Sequence, residues 1–202
     1  MKPASLLLLG GASATGAAVA GGYYFVNSKG STIKDELKDR TFISSTDIAQ
    51  WDEEFKSDSK KIKESIKELA DATDSNGGIK LKNWCESQME LDAKKHPKSL
   101  ELVGKYCLIR DLSSQISRKG KTLLGNNSPE SEWKATYSKR QQKQTSRSEV
   151  NLSGSSWAET TDLPLIKQWC DDIGKKEFLA SNKGDFYSKL ESWCTKEAAS
   201  EE

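Results

Sequence analysis

Four cysteines, each preceded by an aromatic residue, constrain this chain more than any other feature: Trp84-Cys85, Tyr106-Cys107, Trp169-Cys170 and Trp193-Cys194. They fall into two pairs, Cys85 with Cys107 and Cys170 with Cys194. A second mark runs alongside them. Trp51 is followed four residues later by Phe55, and Trp133 by Tyr137. The tryptophans are displaced by 82 positions, the first cysteines by 85 and the second by 87. Three marks in one order at a nearly constant displacement read as two copies of one unit, over 44–119 and 128–197, with small insertions in the second copy. A spacer at 28–43, a linker at 120–127 and a tail at 198–202 complete the division.

Helical periodicity fills both units. Ile48, Trp51, Phe55, Ile62, Ile66 and Leu69 share one face of a helix. Asp47 with Gln50 three residues on has the form of a capping box, and Asn76-Gly77-Gly78 is expected to stop that helix. A second helix carries Leu81, Trp84, Cys85, Gln88, Met89 and Leu91. A third, capped by Ser99, carries Val103, Tyr106, Cys107 and Ile109 and runs to near Gly120. In the second copy Ser128-Pro129 opens a helix bearing Trp133 and Tyr137, polar from Gln141 on. Asp162-Leu163-Pro164 opens the next, with Leu165, Trp169, Cys170 and Ile173. Asp185 caps the last, with Phe186, Leu190, Trp193 and Cys194. No stretch alternates as a strand. The expected fold class is therefore all-α, with an N-terminal transmembrane helix and two tandem three-helix units. Trp51, Phe55, Trp84, Tyr106, Trp133, Tyr137, Trp169 and Trp193 are its expected core aromatics.

The transmembrane helix is expected within 1–27. Positions 5–26 hold no charged residue; as a helix, that length reaches about 33 Å, enough for a hydrocarbon core of about 30 Å. Lys2 precedes it and Tyr23, Tyr24 and Phe25 close it, so the N-terminus is placed inside and the rest outside the cell. The same stretch also reads as a cleavable signal ending at Ala18-Val19-Ala20. Ala12 with Gly16, and Ala17 with Gly21, have the spacing of a helix-pairing face, although small residues abound in membrane spans generally.

Export permits disulfides. Adjacent antiparallel helices bring Cys85 near Cys107, and symmetry then pairs Cys170 with Cys194. Free buried thiols are the other reading. A zinc site lacks the short Cys-x-x-Cys spacing it needs. No catalytic constellation is present. His96 is the only histidine and sits in a Lys-Lys-His-Pro turn, without a motif to partner it. No phosphate-binding loop follows Gly77-Gly78. No metal ligand set or cofactor is expected, and the chain does not read as an enzyme. Charge speaks to partners. Thirty-one basic residues face thirty acidic ones, for a net charge of +1, which removes the electrostatic case for nucleic acid. Between Arg118 and Arg147, however, eight basic residues (Arg118, Lys119, Lys121, Lys134, Lys139, Arg140, Lys143, Arg147) face two acidic ones. That stretch suits anionic lipid, glycan or an acidic partner, or else a solvated helix face.

Leu81-Lys82-Asn83-Trp84-Cys85, Ile166-Lys167-Gln168-Trp169-Cys170 and Leu190-Glu191-Ser192-Trp193-Cys194, behind a short N-terminal span, resemble the paralogous uncharacterised small membrane-associated proteins of haemotropic mycoplasmas. The resemblance implies a surface-exposed protein of the cell membrane, concerned with antigenic variation or with contact to the host red cell, through a surface protein or glycan. It supplies no catalytic residue. The competing expectation is an envelope protein that forms homo-oligomers through its membrane helix.

Overall fold

The computed structural model describes residues 30–202; the expected span at 5–26 lies outside the described residues. Among the described residues the chain is all-α, with nine α-helices, short 3-10 and π turns, and no strand. The helices are α1 (Ile33–Glu36), α2 (Ile48–Ser57), α3 (Ser59–Ser65), α4 (Gly77–Met89), α5 (Pro97–Tyr106), α6 (Leu112–Arg118), α7 (Glu130–Gln142), α8 (Glu159–Gly174) and α9 (Ser188–Cys194). None of them is long and apolar enough to cross a membrane.

Buried side chains form two clusters. The first holds Ile33, Ile43, Trp51, Phe55, Ile62, Leu81, Trp84, Val103 and Tyr106, among others. The second holds Leu112, Ile116, Trp133, Tyr137, Leu163, Ile166, Trp169, Phe178, Leu190 and Trp193. The clusters divide the chain earlier than the expected boundaries. Ile33 and Ile43, within the expected spacer, are 0% and 4% exposed in the first core, while Leu112 and Ile116, placed in the first unit, belong to the second. The reason lies in short backbone pairings that periodicity does not register. Ile33 N–H donates to the Leu91 carbonyl and Ala93 N–H to that of Ser31. Ile43 N–H donates to Cys107 and Ile109 N–H to Thr41. These tie the segment before α2 to the loops flanking α5.

The second half carries the same contacts in the same order. Leu112 N–H donates to Lys176, Phe178 N–H to Arg110, Leu124 N–H to Cys194 and Lys196 N–H to Thr122. The indole of Trp51 donates to the Ser44 carbonyl at 2.9 Å, and that of Trp133 to Gly125 at 3.4 Å. The short helices α1 and α6 open the two halves, capped by Thr32 and Asp111.

Several local expectations are corrected. The long first helix is broken at Asp58 into α2, α3 and a 3-10 turn (Lys67–Leu69). Ser57 Oγ donates back to the Glu54 carbonyl at 2.8 Å, a contact that bends helices, and Asp58 leaves the helical region at φ −149°. Asp47 does accept the Gln50 N–H, but the Gln50 amide does not close the box; it is engaged elsewhere. Gly77 and Gly78 open α4 rather than stopping the first helix, which has already ended by Leu69. A Cβ on Gly77 would enter the Phe55 ring and one on Gly78 would meet Asp52, so these glycines let α4 lie directly on α2. Ser99 donates to Gln88 Oε1 at 2.7 Å instead of capping α5, which opens at Pro97 and stops at Tyr106 because 107–109 turn extended to pair with 41–43. Helix α8 starts a turn before Asp162, with Pro164 inside it, and Leu165 is exposed. The chain at 183–187 forms a π turn before α9, so Asp185 caps nothing and Phe186 is partly exposed.

Candidate functional site

Cys85 is bonded to Cys107 and Cys170 to Cys194, with Cα separations of 5.9 and 5.8 Å. Each bridge staples the second long helix of its half to the end of the third. The sulfurs are sealed: no cysteine is more than 2% exposed, and Trp84, Tyr106, Trp169 and Trp193, their chain neighbours, are all buried. Trp51, Phe55, Trp133 and Tyr137 are buried as well. Together the eight aromatics line two cores and leave none of their number for a surface site.

Two polar clusters stand out, neither of which sequence pattern singled out. The first joins the halves. Glu54, 2% exposed on α2, takes both Arg110 and Arg118 from the second half, and Arg118 also reaches Asp58 at 3.8 Å. Burial pushes the Glu54 carboxyl above its ordinary range, against the pull of the two guanidiniums. Burial likewise lowers Arg110. One turn away, Gln50 Nε2 donates to the Phe178 carbonyl at 3.2 Å and its Oε1 accepts the Ala180 N–H at 2.6 Å. Lys183 pairs with Glu53 at 3.1 Å. The Arg118 guanidinium lies 5.0 Å from the Tyr106 ring centre.

The second cluster is internal to the second half. The Tyr137 hydroxyl donates to Asp162 Oδ2 at 2.7 Å, and Arg147 forks onto both oxygens of that carboxylate. Ala158 N–H adds a fourth bond at 3.1 Å. The hydrogen bonds from Arg147 lead in holding Asp162 down to about 2, while burial and then the bond to Asp162 push Tyr137 up to about 12. Arg147 also donates to the carbonyls of Gly154 and Ser153 at 3.1 Å and faces the Trp157 ring. Trp157 stacks on Trp193 at 6.1 Å and meets Tyr137 edge-on at 5.3 Å. The bonds from Arg147, Tyr137 and Ala158 keep Asp162 ionised and fix it among these partners.

Six of the eight basic residues from Arg118 to Arg147 pair with carboxylates of the fold, all but Lys119 and Lys139. Arg118 meets Glu54, Lys121 meets Glu191, Lys134 meets Glu159, Arg140 and Lys143 meet Glu201, and Arg147 meets Asp162. His96 is exposed at the start of α5. Among the described residues no group of three or more His, Cys, Asp or Glu side chains is placed to hold a metal ion.

The class defined by these features is an all-α chain with two buried disulfides. Set beside known protein families, curated proteins and solved structures, it matches none.

Proposed function

We propose that this chain is a membrane-anchored surface protein whose two disulfide-stapled halves, copies of one duplicated unit, act as an interaction or variable antigen module rather than as an enzyme. The two buried disulfides carry this reading, because such bonds persist in oxidising compartments and are rare in the cytosol. The charge-free stretch at 5–26 supports attachment to the membrane with the remainder outside. The duplication draws support from the matched backbone contacts, and on this reading the units run over about 31–109 and 110–202. The resemblance to the small proteins of haemotropic mycoplasmas suggests the host red cell as the opposing surface, through a surface protein or glycan. Protease added to intact cells is expected to remove the region beyond residue 30, and the purified protein to bind whole host cells. Full protection in intact cells, with cleavage only after lysis, would contradict the placement.

A further inference from the structure

Helix α2 presents Gln50, Glu53, Glu54 and Asp58 to the second half of the chain. Helix α7 stands at the same place in the second half, with Trp133 for Trp51 and Tyr137 for Phe55. In that register Glu132 stands for Gln50, Thr136 for Glu54 and Arg140 for Asp58. Thr136 and Arg140 are 1% and 4% exposed. Residues 195–201, which follow α9, cover them. Thr136 Oγ1 donates to the Thr195 carbonyl at 3.3 Å, and Arg140 Nη2 donates to Ala198 at 3.0 Å and to Glu201 at 2.6 Å. Lys196 pairs with Glu132 at 2.7 Å. The charges are exchanged relative to the inner junction, where an arginine comes to an aspartate at this position. The cover is incomplete, since a cleft of about 430 Å³ opens between the tail and α7, lined by Ser131, Glu132, Ala135, Lys196 and Ala199.

The opposite surface has its own counterpart. The part of the second half that meets α2 comprises Arg110, Arg118, Phe178, Ala180 and Lys183. The backbone pairings that match Ser31 to Arg110 and Ala93 to Phe178 carry this surface onto the first half. There Asp39 stands for Arg118, Lys95 for Ala180 and Lys98 for Lys183, and all three are exposed. Laid on α7 as the second half lies on α2, this face would bring Asp39 to Arg140 and Lys95 to Glu132. Both pairings are of opposite sign, as the tail's own are.

We propose that the C-terminal segment 196–202 is a strap over a head-to-tail docking face on α7, and that the occupant it excludes is the first half of a second copy of this chain. Once the strap lifts, α7 of one copy accepts the Asp39 and Lys95 face of the next. The contact is heterologous, so copies add in a row. This inference rests on the equivalence of the two halves proposed above and is independent of where the protein resides.

Sedimentation of the full chain in detergent tests it, with the intact chain as the reference. Removing 197–202 is expected to produce concentration-dependent higher assemblies, and Glu201→Lys, which frees the strap from Arg140, a smaller shift the same way. In the shortened chain Arg140→Asp is expected to weaken assembly at least tenfold, and Asp39→Arg added to it to restore assembly. Disulfide mapping and circular dichroism establish that each variant is folded. Should the shortened chain misfold, Glu201→Lys alone decides. Folded variants that keep the intact chain's stoichiometry would overturn the strap. Assembly indifferent to Arg140→Asp would overturn the docking face and the equivalence of halves behind it. Neither result touches the proposed surface location, which protease exposure tests separately.

Discussion

Asp162 and its partners give the second half a defined response to acid. The folded carboxyl titrates at about 2, below its ordinary value of 3.8. Its stabilising contribution is therefore complete above pH 4 or so and drains away as the pH falls toward 2, amounting to about 2 kcal/mol. Chemical unfolding followed by Trp157 and Trp193 fluorescence between pH 5 and 2 is expected to show this loss, and Asp162→Asn to flatten it while lowering stability at pH 7. Glu54 makes a harsher demand. Its side chain is sealed between two guanidiniums, so Glu54→Ala leaves Arg110 buried without its anion and Arg118 with only the longer pairing to Asp58. The expected cost is about 3–5 kcal/mol, read as a lower urea midpoint. Neither carboxylate was legible in the sequence. Nothing in local pattern distinguishes Glu54 from Glu53, one residue earlier and half-exposed, because the partners lie more than fifty residues away.

At the scale of the helix, the contact of α4 on α2 depends on a missing side chain. Phe55 packs where Gly77 has no Cβ; in the second half Tyr137 and Asp162 hold the matching positions and meet through a hydrogen bond. Gly77→Ala drives a methyl into the Phe55 ring and is expected to cost about 1–3 kcal/mol in thermal or urea unfolding. Helical periodicity located α2, α4, α5, α7, α8 and α9, and the aromatic-cysteine marks located the residues on their buried faces. The pattern failed at the breaks. Ser57 and Asp58 sit within an unbroken apolar stripe, and only the back-bond to Glu54 shows why the helix stops there. Asn76-Gly77-Gly78 carries the residues of a turn but serves close helix contact. The isolated pairings of 31–33 and 41–43 involve too few residues to leave an alternating pattern.

Over the whole molecule, backbone pairings recur between the two halves, and α2 and α7 differ in what covers them. Residues of the second half lie over α2, and residues 195–201 lie over α7. The junction is held by polar contacts between two separate apolar cores, so Gln50→Ala, which removes two bonds to the backbone of the other half, is expected to let the halves unfold in separate steps. Calorimetry reads this as a broadened or split transition. The stapling of each half by its own bridge predicts that Cys85→Ser destabilises the first half by about 2–5 kcal/mol and leaves the second folded.

The central claim, an exported chain of two separately stapled halves, meets its most direct test in a disulfide map of the protein taken from cells lysed with thiols blocked. The account predicts two linked peptide pairs, Cys85 with Cys107 and Cys170 with Cys194, and no blocked cysteine. Peptides linking one half to the other, or four blocked thiols, would contradict it.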